Sequence, residues 1–140
     1  MMTKVNSRRG GFTLVEIMIV VAIIALLAAI AVPSALRARK RSQATSTLQT
    51  LRILDAACDQ FAIENGKKPG DDAAAANLLK YVKAGSKLYT DLAGGKALDA
   101  MNREISLPLK VDTAPKVPTD TKSDLAGVID DPAAFWGAFN

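Results

Sequence analysis

Two hydrophobic patterns follow one another in the first half of the chain. The first is an apolar run, Ile17–Val32, which contains no charged residue and no glycine. Together with Phe12–Glu16 it matches the ~20 residues that a helix needs to cross a bilayer. A soluble core helix would keep a polar face, and this run has none. The pattern predicts a membrane-spanning helix, and Pro33 at its end predicts a kink or a loosened turn over residues 29–33.

The second pattern is amphipathic and begins at Ala44. Apolar residues recur at steps of three and four, as on one face of a helix, at Ala44, Leu48, Leu51, Leu54, Cys58 and Phe61. Cys58 lies within this stripe, so we interpret it as a small buried apolar residue and not as a reactive thiol. Asn65-Gly66 followed by Pro69 is a typical helix stop. The sequence therefore predicts one long helix from about Phe12 to Glu64.

The remaining residues predict a small domain of short helices and a small β-sheet. Asp71 or Asp72 can cap a second helix, Ala73–Lys83, which Gly85 would close. The buried face of this helix is expected to consist of Leu78, Leu79 and Val82. The pair Gly94-Gly95 marks a turn after it.

Alternating apolar residues then predict one short strand, Ile105–Val111, which Pro108 restricts to a sheet edge or a first position. The segment Ala114–Asp124 is rich in Pro, Thr, Lys and Asp and is expected to be an exposed loop. Asp131-Pro132 opens a last helical turn. Its three aromatic residues should dock on the domain or on a partner: Phe135, Trp136 and Phe139. The fold class is α+β, with a long N-terminal helix and a small C-terminal globular domain.

One charged residue lies at the start of the apolar segment. A carboxylate at Glu16 inside a membrane costs several kcal/mol unless it is neutralised, so it is a candidate functional group. If the chain were cut between Gly11 and Phe12, the new α-amine would lie four residues before Glu16, on the same helix face and with opposite charge. The amine of a neighbouring copy could serve equally well, and the pair would then set the axial register between subunits.

The residues around this cut resemble a known family. Arg8-Arg9-Gly10-Gly11-Phe12-Thr13-Leu14-Val15-Glu16, followed by the aliphatic run and Pro33, is similar to the N-terminus of type IV pilins and type II secretion pseudopilins. The resemblance implies that a prepilin peptidase cuts after Gly11 and methylates the new amine of Phe12. It also implies that Glu16 aligns subunits in a helical filament. A proline at the place of Pro33 is common in that family.

Two short motifs, one at the end of the aliphatic run and one after it, leave alternatives open. Ala29-Ile30-Ala31 has the small-x-small form of a signal peptidase site, so the apolar run could belong to the signal peptide of an exported soluble binding protein. The basic cluster Arg37–Arg41 is expected to contact lipid phosphates beside the membrane. Because this cluster outweighs the leader charges at Lys4, Arg8 and Arg9, the membrane orientation follows from the resemblance and not from charge.

Composition limits the chemistry. The chain has no His, and Cys58 is its only cysteine, which removes the usual zinc ligands and an internal disulfide. Catalysis is therefore not indicated, and no cofactor is expected. The formal charge of +4 becomes nearly neutral without the leader, which does not indicate nucleic-acid binding. Four acids are weak calcium candidates, although their irregular spacing favours solvated turns: Asp120, Asp124, Asp130 and Asp131.

These observations divide the chain into a leader peptide (1–11), a transmembrane and assembly half of the helix (12–33), an amphipathic half (34–65) and a globular domain (66–140). The expected function is a structural subunit of a type IV pilus-like helical filament. A type II secretion pseudopilin is the alternative within the family, favoured by the short mature chain and the missing disulfide. The implied partners are further copies, the prepilin peptidase, and an inner-membrane assembly platform with minor pilins. The precursor is expected in the bacterial inner membrane, and the filament in the periplasm or at the cell surface.

The mature N-terminus separates the two export hypotheses. Cleavage after Gly11 leaves a chain that begins at Phe12, keeps Glu16 and needs detergent, whereas cleavage after Ala31 leaves a soluble chain that begins at Val32. We predict that intact mass and N-terminal peptide mapping of the membrane fraction show Phe12 first, with one methyl group on its amine. A start at Val32 would refute the filament hypothesis, because that chain lacks the apolar helix and the charge pair.

Overall fold

One helix forms the first half of the structure. The computed structural model describes residues 10–140, and the predicted leader residues before Gly10 lie outside them. Helix α1 (Leu14–Asn65) contributes residues to each of two units, which divide between Leu36 and Arg37. The helix continues through Pro33, so the loosened turn expected over residues 29–33 is not observed. Proline removes only one backbone donor there, and the flanking residues keep their helical conformation.

Helix α1 ends at the predicted stop. Gly66 has a φ of 58°, a left-handed conformation that glycine adopts without steric cost. The N–H of Lys67 donates to the carbonyl of Ala62 at 2.9 Å, which satisfies one of the carbonyls left without an intrahelical partner. The Asn65-Gly66 pair therefore ends the helix by the mechanism that the sequence predicted.

The second unit adds short elements to the end of α1. In chain order these are β1 (Asp72–Ala73), α2 (Ala75–Leu78), a 3₁₀ turn (Leu79–Tyr81), α3 (Lys87–Ala93), β2 (Ala97–Leu98), β3 (Glu104–Ile105), β4 (Leu109–Lys110), α4 (Thr119–Asp124), α5 (Pro132–Trp136) and a final 3₁₀ turn (Gly137–Phe139). Strands β1 and β4 pair antiparallel, as do β2 and β3. The predicted small sheet is thus two separate two-stranded sheets.

The amphipathic stripe of α1 supplies one side of the core, as predicted. Its six members are all buried: Ala44, Leu48, Leu51, Leu54, Cys58 and Phe61. The C-terminal aromatic group belongs to the same core, in which Trp136 is 1% exposed, Phe139 is buried and Phe135 is half-buried. The carboxylate of Asp131 caps α5 by accepting the N–H of Ala134 at 3.0 Å. The last helical turn therefore docks on its own domain.

The second predicted helix is wrong in its start and its length. Asp72 and Ala73 form β1 and pair with Lys110 and Leu109, and the helical residues begin only at Ala75. An ion pair of 2.5 Å between Asp72 and Lys110 supports this pairing. The local capping signal is therefore overridden by a strand partner that lies far along the chain. Of the expected buried face, Leu78 and Val82 are buried and Leu79 is half-buried.

The predicted strand over Ile105–Val111 is also interrupted. Strands β3 and β4 belong to different sheets, and Pro108 lies between them, where it offers no N–H to continue a ladder. The alternation still identified the buried side, because Ile105, Leu109 and Val111 are buried.

The segment Ala114–Asp124 is not an exposed loop throughout. Its last six residues form α4, and Thr121 on this helix is fully buried. The hydroxyl of Thr121 donates to Asp99, a buried carboxylate that also accepts the N–H groups of Met101 at 2.8 Å and Arg103 at 2.9 Å. A polar residue is buried here because a distant carboxylate satisfies it.

Helix α3 was missed by the sequence analysis, although local signals exist. Ser86 caps it by accepting the N–H of Tyr89 at 3.1 Å, and Lys87 forms an ion pair with Asp91 one turn later at 2.8 Å. Leu88 and Leu92 supply its buried face. The helix ends at the predicted turn Gly94-Gly95.

The packing of the stripe makes a stability prediction. Leu54→Ala should lower the free energy of unfolding by about 2–5 kcal/mol, because it leaves a cavity in the core. Ile63→Ala on the same helix changes a side chain that is 82% exposed, and it should shift that free energy by less than about 0.5 kcal/mol. Denaturant unfolding of the detergent-solubilised chain, followed by the fluorescence of the single, buried Trp136, measures both. Equal losses would contradict the burial of the stripe.

Candidate functional site

The first turn of α1 carries the residues that the sequence singled out. Residues 10–13 precede the helix, and Thr13 is its N-cap. The hydroxyl of Thr13 accepts the backbone N–H of Glu16 at 3.2 Å, and its carbonyl accepts the N–H of Ile17 at 3.3 Å. This is one half of a capping box, for which Thr-x-x-Glu before an apolar run is the sequence signature. This role of Thr13 was not predicted from the sequence.

The capping geometry gives Glu16 a defined place in the helix. It occupies the third helical position, where free N–H groups and the helix dipole favour a negative charge. Its side chain is exposed, and no cation in the described residues forms an ion pair with it. The first turn thus stabilises the carboxylate in part and leaves its ionic partner to come from elsewhere.

The predicted cleavage site is accessible. Gly10 and Gly11 lie before the helix, and a Cβ atom added at either would meet no atom within 4 Å. Phe12 is 79% exposed and also precedes the helix. In the uncut chain the nitrogen of Phe12 is an uncharged amide. Cleavage after Gly11 and pairing of the Phe12 amine with Glu16 therefore stay predictions.

Every side chain from Phe12 to Leu36 is exposed. Within the described residues, α1 is the one helix long and apolar enough to cross a membrane, by length and composition. Its exposed aliphatic residues form an apolar surface far longer than a soluble monomer normally presents to water. Lipid or other helices must cover this surface. Pro33 lies at its C-terminal end, inside the helix.

The basic cluster after Pro33 divides into two pairs with different roles. The Lys40 ammonium donates to the carbonyl of Asp124 at 3.1 Å, and the Arg41 guanidinium donates to the carbonyl of Val128 at 3.2 Å. Arg41 also forms an ion pair with Asp130 at 3.4 Å. These two side chains hold the end of α4 and the segment after it against α1. The exposed Arg37 and Arg39 form no ion pair within residues 10–140.

The structure does not gather the calcium candidates into one site. Asp124 pairs with Arg103, Asp130 with Arg41, and Asp131 caps α5. Asp120 is exposed on α4. In the described part of the chain, no three His, Cys, Asp or Glu side chains lie close enough to hold a metal ion. Calcium binding stays an untested expectation.

Cys58 is buried among the core residues, as predicted. Burial raises the pKa of its thiol, and the Asp59 and Asp55 carboxylates raise it further. A raised pKa leaves less of the reactive thiolate near neutral pH. The cysteine therefore acts as a packing residue.

Comparison with known proteins identifies the segment at the start of α1. The prokaryotic N-terminal methylation motif matches residues 6–32, a range that contains Gly11, Phe12 and Glu16. The type IV wide pilus major component PilA4 of Thermus thermophilus is 44% identical over 96 residues, which cover 60% of this chain and 72% of that protein. The chain belongs to the type IV pilin and pseudopilin family.

Relatives of this pilin-family chain come from both kinds of system. The type IV major pilin protein PilA of Myxococcus xanthus is 42% identical over 65 residues, which cover 46% of this chain and 30% of that protein. The type II secretion system core protein G of Klebsiella pneumoniae is 32% identical over 62 residues, 44% of each chain. The chain therefore spans less than half the length of these two relatives. No solved structure matches it.

The exposed position of Glu16 predicts that membrane insertion and assembly of this pilin-family chain separate. Glu16→Ala removes a charge and so lowers the cost of insertion, yet it leaves the Phe12 amine without its partner. We expect wild-type amounts of the variant in the membrane fraction and a loss of fibres sheared from cells. Wild-type amounts of fibre would show that Glu16 does not set the register.

Proposed function

We propose that this chain is a structural subunit of a type IV pilus-like helical filament, assembled through the first half of α1 after a prepilin peptidase cuts behind Gly11. The precursor is anchored in the bacterial inner membrane, and the filament extends into the periplasm or beyond the cell surface. Further copies of the chain are the principal partners. An inner-membrane assembly platform and minor pilins would incorporate each subunit.

The observation that carries this proposal is the difference in burial between the two halves of α1. Its second half buries an apolar stripe against its own domain, whereas all its residues up to Leu36 are exposed and almost entirely apolar. The folded domain therefore leaves the first half of the helix free for contacts with lipid and with other copies. The relatives named as pilus components support this assignment.

Assembly from the membrane needs more than apolar contact. Lipid tails and neighbouring helices are similarly apolar, so moving α1 from one to the other provides little hydrophobic driving force. A buried charge does distinguish the two environments. The free-energy cost of burying a carboxylate is high when it is unpaired and much lower when it is paired with a cation. Neutralisation of Glu16 by a Phe12 amine supplies this distinction and gives one register in which the helices pack.

Catalysis is not part of the proposal. The chain contains no histidine, and its one cysteine is buried with a raised pKa. Those are the side chains that most often act as general base and as intrinsically strong nucleophile. The relatives named above are components of filaments and of a secretion system.

A type II secretion pseudopilin is the second candidate. The relationship to core protein G of Klebsiella pneumoniae and of Pseudomonas aeruginosa supports it, as does a single cysteine that cannot close a disulfide within the chain. Both candidates use the same helix and the same processing. Deletion of the gene separates them, since a pilin mutant loses surface fibres and a pseudopilin mutant fails to secrete folded enzymes.

Gly11→Leu tests the processing step on which both candidates depend. The added side chain meets no neighbouring atom in the folded chain, so the fold should stay intact while the peptidase is blocked by the bulky residue at its cut. We expect uncut precursor to accumulate in the membrane and fibres to disappear, as measured by immunoblot and electron microscopy. Gly10→Leu is the matched control and should be processed. Normal maturation of Gly11→Leu would contradict the assignment of the cut.

A further inference from the structure

Helix α1 carries charges in the second unit that its own domain leaves unneutralised. Arg39 and Asp59 are exposed and Asp55 is half-buried, and none of them forms an ion pair within residues 10–140. Arg52 on α1 and Lys67, which lines the same groove as Asp59, also form no ion pair in this range. Helix α1 therefore carries charges of both signs that are not paired within its own domain.

The two acids disfavour each other in the isolated chain. Asp55 and Asp59 are four residues apart on one helix, where like charges are destabilising. Burial raises the pKa of the Asp55 carboxyl, and Asp59 raises it further. A groove of about 420 Å³ opens beside Asp59, with Ala62, Ile63 and Val111 in its wall. An arginine could place its aliphatic stem on such a wall while its guanidinium contacts the carboxylates.

The spacing along α1 places Arg39 on the opposite side of the helix from this acid pair. Arg39 precedes Asp55 by 16 residues and Asp59 by 20, which correspond to rotations of about 160° and about 200° at 3.6 residues per turn. The axial separations are about 24 Å and about 30 Å. Two parallel copies displaced by about 27 Å along their axes would therefore bring Arg39 of one level with the acid pair of the other, with the two faces directed at each other.

We propose that Arg39 of one subunit pairs with Asp55 and Asp59 of a neighbouring subunit in the filament. This inference rests on the proposed function and adds a second register contact, remote from Glu16 and outside the membrane-spanning residues. A guanidinium suits this role because its planar fork can donate to both carboxylates and is weakly hydrated. In a helical array, the neighbours of one subunit are displaced along the filament axis by different multiples of the axial rise per subunit. The Arg39 contact and the Glu16 contact can therefore be made with different neighbours.

Arg37 provides an internal comparison. It is also exposed and without an ion pair in the described chain, but it precedes Asp55 by 18 residues and Asp59 by 22. These spacings place it on the same side of the helix as the acids, within about 40°. Arg37 and both acids lie within α1, and two parallel helices packed side by side cannot direct one shared side at each other by displacement alone. The Phe12 amine differs, because it precedes the helix and is not held to one helix face. Arg37 should therefore contact something else, such as lipid phosphate.

Charge exchange tests the proposed pair in cells that make fibres from the full-length chain. Arg39→Glu should reduce sheared fibre mass by at least about tenfold, because like charges then face each other across the contact. Asp55→Arg with Asp59→Arg should have the same effect. All three substitutions together restore the opposite charges and should return fibre mass to within about threefold of wild type. Recovery would itself show that the substituted chains fold.

Arg37→Glu is the matched control, and adding Asp55→Arg and Asp59→Arg to it should not improve fibre mass. Wild-type fibre mass in Arg39→Glu, or no recovery in the triple variant, would overturn the pairing and leave the filament function intact. If the wild-type chain formed neither surface fibres nor pseudopilus fibres, both the pairing and the filament function would be overturned. Recovery of Arg37→Glu by the acid exchange would also overturn the assignment to Arg39.

Disulfide trapping measures the contact directly. In a Cys58→Ala background, Arg39→Cys combined with Asp59→Cys should give ladders of covalently linked subunits after mild oxidation of fibres, since a disulfide needs its Cα atoms within about 7 Å. Arg37→Cys with Asp59→Cys should stay monomeric. Equal ladders from both pairs, or none from the Arg39 pair, would contradict the proposed register.

Discussion

In the part of the chain that the structure describes, the apolar first half of α1 is exposed along its whole length, and the rest of the molecule is consistent with this constraint. An aliphatic helix surface of that length is stable only in lipid or against other helices. The domain of short elements covers only the second half of α1, through a stripe of small and aliphatic residues. A folded monomer is therefore possible, but it is complete only in a membrane or in an assembly.

Lipid and neighbouring helices differ more for the polar groups of α1 than for its apolar side chains. Thr13 satisfies the N–H of Glu16 and begins the helix, so that a carboxylate is held in the first turn beside the predicted new N-terminus. Apolar contacts alone do not distinguish lipid from neighbouring helices. In the proposed filament, selectivity comes from charge, both at Glu16 and at the exposed arginines and aspartates farther along α1.

The four side chains of the basic cluster after Pro33 make different contacts. By composition its four cations are equivalent, and all were expected beside lipid phosphates. In the folded chain Lys40 binds a carbonyl at the end of α4 and Arg41 binds a carbonyl between α4 and α5. These contacts attach the C-terminal part of the domain to the helix. Arg37 and Arg39 form no ion pair within residues 10–140, and Arg39 is the residue proposed to contact a neighbouring subunit.

Periodicity and end signals along the sequence determined α1, its buried stripe, its stop at Asn65-Gly66 and the capped aromatic turn at the C-terminus, because each depends on residues within a few positions of one another. The tertiary structure alone decided that Asp72 joins a strand instead of capping a helix, and that Thr121 is buried, because their partners Lys110 and Asp99 lie tens of residues away. The candidate site divides in the same way. Local sequence was enough to single out Gly11, Phe12 and Glu16. Which side chains of the basic cluster donate to the domain depended instead on where the fold placed the backbone carbonyls.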